Sequence, residues 1–158
     1  MTRILVTAVG HLKNPGLKQV TEDYERRLMH YFRFEAAEVP AASLPDERAS
    51  EARDREATSL TRQIPDELEL VALTRTGKSW STRELAEYLD DMQTYGHGGT
   101  VFVIGGAHGL EASLLQRSKI KLSLSPMTLP HGLARLLLTE QLYRAGTILR
   151  GESYHKGP

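Results

Sequence analysis

Near the end of the 158-residue chain, Tyr154-His155 joins a phenol to a side chain that changes charge close to neutral pH. Chain ends usually fray, so such a pair is either disordered or docked onto something. Two arginines, Arg135 and Arg144, stand nine residues apart in an apolar helical stretch from Gly132 to Leu149. That spacing is about 2.5 turns, which puts them on opposite faces of the helix. Each suits a structural ion pair or an anionic ligand. A shared role is hard to arrange within one subunit, but a site built across a dimer interface would allow it.

The segment Leu122-Ser-Leu-Ser-Pro-Met-Thr-Leu-Pro-His-Gly-Leu-Ala-Arg135 feeds that helix. Pro126 and Pro130 fix φ and lack an N–H, so residues 124–129 neither extend a central strand nor open a regular helix. A bend of this kind leaves backbone N–H and C=O groups free. If it is buried, they need a partner outside secondary structure: a ligand, or the ordinary contacts of a strand-to-helix turn. Gly105-Gly-Ala-His-Gly109 follows an apolar run and calls for close backbone approach, to a ligand or to the next helix. It lacks the G-x-G-x-x-G spacing, and the chain has no Walker-type loop and no G-x-S-x-G elbow. The six histidines are scattered without metal-ligand spacing, so no metal is expected. His108 and His131 sit on loops, where a lone histidine is more often incidental than catalytic.

Alternating strands and helices must position these groups. Ile4–Val9, Phe34–Val39, Glu69–Thr74, Thr100–Ile104 and Ile120–Leu124 read as strands, with a turn at Thr76-Gly77-Lys78 after the third. Helical spacing joins Leu17, Val20, Tyr24, Leu28 and Tyr31. A thin seam of Ala49, Ala52, Ala57, Leu60 and Ile64 predicts an exposed helix within 46–63. Ser81-Thr-Arg-Glu84 has capping-box spacing and opens a helix carrying Leu85, Leu89 and Met92, which Gly96-His-Gly-Gly99 ends. A short helix lies near Glu111–Arg117. The pattern predicts one α/β domain with a mainly parallel sheet flanked by helices. In such sheets ligands sit beyond the carboxyl ends of the strands. The loops after Leu73, Ile104 and Leu124 then share one edge.

Composition narrows the function classes. No cysteine is present, which excludes disulfides and thiolate chemistry. No apolar run is long enough to span a bilayer, and the start of the chain lacks a signal-peptide pattern, so a cytoplasmic protein is expected. Zero formal net charge argues against a general nucleic-acid binder. The charge is nonetheless polarised. Residues 21–70 hold 13 acidic and 7 basic side chains, whereas residues 117–158 hold 7 basic and 2 acidic. A basic C-terminal quarter permits an anionic partner, although such a stretch is most often a solvated face.

Val101-Phe-Val-Ile-Gly-Gly106, Gln116-Arg-Ser118, Leu122-Ser-Leu-Ser125, Met127-Thr-Leu-Pro-His131, Glu140-Gln-Leu-Tyr-Arg-Ala145 and Gly151-Glu-Ser-Tyr-His-Lys156 occur in that order. Ala8-Val-Gly10, Tyr24-Glu-Arg-Arg27, Glu38-Val-Pro40 and Gly77-Lys78 precede them. With these motifs the chain resembles the ribosomal RNA large subunit methyltransferase H family, of the knotted SPOUT class. The resemblance implies a single SPOUT domain over 1–158, with a C-terminal deep trefoil knot in a donor-binding part of about 70–150. It implies a homodimer that uses S-adenosyl-L-methionine to methylate N3 of a pseudouridine in 23S rRNA of the assembled ribosome. Matching positions make Leu73, Gly105, Leu124, Ser125, Pro126, Met127, Thr128 and Leu129 the donor-binding residues. Pro126 departs from other members, which vary there, and having no N–H it shifts contacts to neighbouring backbone. On the same footing Tyr154 and His155 dock over the site, with His155 assisting N3 deprotonation and Arg135 or Arg144 orienting RNA. The rivals are a SPOUT enzyme acting on tRNA and a non-enzymatic ribosome-associated factor.

Overall fold

The computed structural model describes residues 1–95 and 98–156. Five strands, β1 (Arg3–Val9), β2 (Arg33–Val39), β3 (Glu69–Ser79), β4 (Thr100–Ile104) and β5 (Ile120–Ser123), form one parallel sheet in the order β2-β1-β4-β3-β5. The central strands β1 and β4 are mostly apolar and buried from Ile4 to Val9 and from Thr100 to Ile104 because helices cover both faces. Alternate residues serve different layers. Ile4, Val6, Phe102 and Ile104 join a core with α1 (Pro15–Leu28), α3 (Thr82–Thr94) and α5 (His131–Leu149). Leu5, Val9, Val101 and Val103 face α2 (Ala49–Gln63) and α4 (Ala112–Arg117). Leu138 and Leu142 of α5 are fully buried, and each stabilises the fold by about 1.5–3 kcal/mol.

Helix ends follow local chemistry. Asn14 accepts a hydrogen bond from the Leu17 N–H and Pro15 occupies the first turn, so α1 starts before the predicted Leu17. It ends at Leu28, leaving Tyr31 in the following turn, and Val20 is 44% exposed rather than part of the core seam. The capping box of α3 forms as its spacing predicts: Glu84 N–H donates to Ser81 Oγ and Ser81 N–H to Glu84 Oε2. Gly96 and His97, part of the predicted stop of α3, lie outside the described residues. A short 3-10 turn, Asp46–Arg48, leads into α2, which buries Glu56 together with Ala52 and Leu60. Helix α5 begins at His131, directly after Pro130.

One strand departs from its predicted end. β3 runs on to Ser79 through the predicted turn, because its ladder with β5 contains a bulge. Both Leu73 and Lys78 register with Leu122, so residues 74–77 are extra on β3. Gly77 permits this, since a Cβ there would lie 2.6 Å from the Lys121 carbonyl oxygen. β5 correspondingly stops at Ser123, one residue early.

β1 and β4 are neighbours whose continuations diverge, one toward β2 and the other past β3 to β5. The chain thus changes direction between β1 and β4, and Gly105-Gly106 at the carboxyl end of β4 stands on the ligand-binding side of the sheet.

Candidate active site

Parallel strands bring Leu73, Gly105 and the 124–129 bend to one edge of the sheet, and the bulge joins two of the three loops. Arg75 Nη1 donates to Thr128 Oγ1 at 3.1 Å, and Ser123 Oγ donates to the Arg75 carbonyl at 3.0 Å. In the single chain the bend is more open than a buried turn: Leu124, Ser125 and Leu129 are half-buried, while Pro126, Met127 and Thr128 are exposed. Its backbone is under-used. The Met127 N–H donates to Ser125 Oγ at 3.0 Å, but among the described residues no backbone pairing outside helices and strands involves 124–129. Beside it, Thr74 Oγ1 is buried without a partner. Free, directed amide groups next to a half-buried apolar floor suit the edge of a planar heterocycle.

The glycine loop is tight. The Gly109 N–H donates to the Gly106 carbonyl at 3.1 Å, and a Cβ on Gly105 would stand 2.9 Å from the Gly109 carbonyl carbon. His108 turns away from the edge toward α2. Its Nε2 is 3.4 Å from the Leu44 carbonyl, and Arg53 Nη1 donates to its own carbonyl at 3.3 Å.

The tail is docked. Residues Ser153–His155 form a 3-10 turn against α5, and the Tyr154 hydroxyl lies 3.1 Å from that of Tyr24 and 3.2 Å from Glu140 Oε1. Its ring packs edge-on against Tyr143, and the Arg144 guanidinium lies 4.8 Å above it. Burial, then the Tyr24 and Glu140 contacts, push the Tyr154 phenol well above its ordinary range, so it stays protonated. His155 Nδ1 is buried without a partner. None of the tail's hydrogen bonds or ring contacts among the described residues reaches Leu73, Gly105 or the bend.

Arg135 and Arg144 do face different surroundings, as their spacing predicts. Arg135, 6% exposed, donates to Glu25 at 2.7 Å and to Glu38 at 2.6 Å. Glu38 also lies 2.6 Å from His11 Nδ1. Burial pushes the Glu38 carboxyl upward, but the Arg135 and His11 contacts outweigh it and hold the group below its ordinary value. Arg144 is half-exposed and pairs with Glu140 at 2.6 Å. Glu25, Glu38, His11 and Glu56 were not singled out by residue chemistry. The available signal was that Glu25 and Glu38 fall inside the Tyr24–Arg27 and Glu38–Pro40 motifs. His131, expected on a loop, is the first residue of α5 and packs on Gly10, where a Cβ would lie 2.8 Å from its Nε2.

Among the described residues no group of three or more His, Asp or Glu side chains is placed to hold a metal ion, and no helix is long and apolar enough to cross a membrane. Two clefts of about 250 and 330 Å³ open around Met1 and Gln93, and neither is lined by Leu73, Gly105 or the bend.

The family model described as predicted SPOUT methyltransferase matches residues 2–155. The chain belongs to the SPOUT methyltransferase family. Two SPOUT relatives, each named ribosomal RNA large subunit methyltransferase H, come from Listeria welshimeri and Bacillus cytotoxicus. The first is 41% identical over 157 residues and the second 42% over 158, each alignment covering 97% of this chain and 99% of the relative. A solved structure, a probable methylase family protein from Haemophilus influenzae, superposes with a TM-score of 0.52 at 14% identity. It covers 99% of this chain and 70% of that one, which supports the α/β architecture of a SPOUT domain.

Proposed function

We propose that this SPOUT methyltransferase methylates N3 of a pseudouridine in 23S rRNA of the assembled ribosome, with S-adenosyl-L-methionine as donor. The observation that carries the reading is the bend at 124–129, with its unpaired backbone groups, beside the β3 bulge on the carboxyl edge that Gly105 shares. The names of the relatives favour the substrate class. The whole of 1–158 is one SPOUT domain, and 70–150 contains the knot. A protein of this activity works in the cytoplasm.

The chain's groups fit the donor. Backbone of Leu124, Ser125, Met127, Thr128 and Leu129 takes the adenine edge, Pro126 contributes its carbonyl and shape, and Leu73 and Gly105 close the sides. The bound donor supplies a methyl group on an already activated sulfonium. The protein's tasks are alignment and handling of the N3 proton. His155 accepts that proton, Tyr154 holds the imidazole in place, and Arg144 stabilises negative charge developing on the uracil ring. Arg135 keeps the start of α5 fixed at the same edge.

Within one subunit the tail and the bend do not meet, and a homodimer resolves this. The outer face of α5 carries Leu133 and Leu137, 43% and 45% exposed, and Met127 in the bend is 74% exposed. A second copy covering these residues brings one subunit's tail to the other's bend. Neutral net charge agrees with recognition of an assembled particle by shape and a local basic patch.

The test is transfer of labelled methyl from S-adenosyl-L-methionine to free tRNA, naked 23S rRNA and whole ribosomes. Incorporation into ribosomes alone is expected. Preferential labelling of tRNA would support the tRNA-directed reading. No labelling together with no calorimetric donor binding would leave a non-enzymatic ribosome-associated factor.

A further inference from the structure

Helix α2, an exposed helix by its sequence pattern, carries a buried carboxyl group against the glycine loop. Glu56 is 4% exposed. Its Oε1 accepts the Ala42 N–H at 3.2 Å, whereas Oε2 is buried without a partner. A Cβ on Gly106 would lie 3.0 Å from both carboxyl oxygens, so the glycine backbone rests directly against this group. A buried acceptor left unpaired costs stability and calls for an explanation. Neighbouring contacts point the same way. Arg53, one turn earlier on α2, donates to the His108 carbonyl at 3.3 Å, and the His108 ring reaches back to the Leu44 carbonyl at 3.4 Å. The loop after β2 and the loop after β4 are thus tied to each other and to α2, with Glu56 at the junction.

We propose that Glu56 is a positioning residue for donor binding, fixing Gly105-Gly106 through its packing on Gly106 and its hydrogen bond to Ala42. This rests on the reading that Gly105 lines the donor site. Glu56 does not touch the donor. It removes freedom that the loop would otherwise lose on binding, so its contribution is preorganisation. The geometry also explains why the second glycine of the pair is needed: any side chain at 106 would displace the carboxyl group or lift the loop.

Calorimetric titration with S-adenosyl-L-methionine and with S-adenosylhomocysteine, alongside thermal unfolding, tests the assignment on wild type, Glu56→Gln and Glu56→Leu. Leucine fills most of the volume without polar atoms, and replacing a buried ionisable group by a hydrophobe often leaves stability unchanged or raised. Glu56→Leu is expected to hold its melting temperature while weakening both ligands about tenfold. Glu56→Gln, which keeps an acceptor for Ala42, should stay within about twofold of wild type. Wild-type affinity in Glu56→Leu overturns the positioning role. If Glu56→Leu is too unstable to titrate, Glu56→Met, whose unbranched side chain adapts to the same space without an acceptor, takes its place: affinity within about twofold of wild type overturns the proposal, and a loss of about tenfold supports it. Wild type that binds neither ligand overturns the donor reading itself, and the positioning role with it.

Discussion

Arg135 and Arg144 sit on the same helix with the same side chain, yet their surroundings give them different work. Arg135 is enclosed near the start of α5 and grips two carboxylates from two other elements, Glu25 on α1 and Glu38 at the end of β2. Arg144 is half-exposed, pairs with a carboxylate one turn away on its own helix, and stacks on the docked tail. Opposite charges in a buried, multiply bonded cluster hold elements together, whereas a half-exposed pair one turn apart adds little to stability. An arginine enclosed among carboxylates inside the subunit is poorly placed to bind RNA, and a half-exposed one stacked on Tyr154 of the tail is better placed.

The comparison breaks first at Arg135. Arg135→Met strands Glu25 and Glu38 and should destabilise the fold by about 3 kcal/mol in urea unfolding; a loss below about 1 kcal/mol would remove the distinction between the two arginines. Acid sharpens the same point. Because Glu38 titrates below its ordinary value of 4.5 when folded, its stabilisation is present above that value. It is lost as pH falls through the lower folded value. Stability should therefore decline below about pH 4.5 in wild type, and that decline should be shallower in Arg135→Met.

His155→Ala should lower turnover on ribosomes about hundredfold, within the range for a positioned acid–base group, with no comparable change in unfolding. Wild-type turnover in this variant and in a tail deletion would remove the tail from the mechanism. Arg144→Ala should alter stability by less than about 1 kcal/mol and reduce ribosome methylation on the order of tenfold. The smallest effects belong to the bend. Ser125→Ala and Thr128→Ala should leave donor affinity within about twofold, since backbone makes the contacts, whereas Leu129→Pro should abolish binding in calorimetry.

Much of the fold was legible because the strands are apolar on both faces and the helix caps use local chemistry. Val101–Ile104 and the Ser81–Glu84 box are such cases. The bulge in β3 was not, because Thr76-Gly77-Lys78 looks like a turn until Leu122 is known to pair with both Leu73 and Lys78. Val20 and Tyr31 follow a helical spacing that the structure uses differently, one exposed and the other beyond the helix end. At the site, the grouping of Leu73, Gly105 and the bend follows from parallel strands alone. The tail was open between disorder and docking, and the partners that decide it, Tyr24 and Glu140, are distant in sequence. Glu56 was invisible for the same reason. A glutamate in a polar helix looks solvated until the glycine loop closes over it.

The proposed reaction places one methyl group on N3 of a pseudouridine in 23S rRNA. Mass spectrometry of 23S rRNA from cells with and without the gene tests it most directly. One pseudouridine-containing fragment is expected to be lighter by a single methyl group in the deletion, restored by the wild-type gene but not by His155→Ala. Identical 23S rRNA methylation in both strains would contradict it.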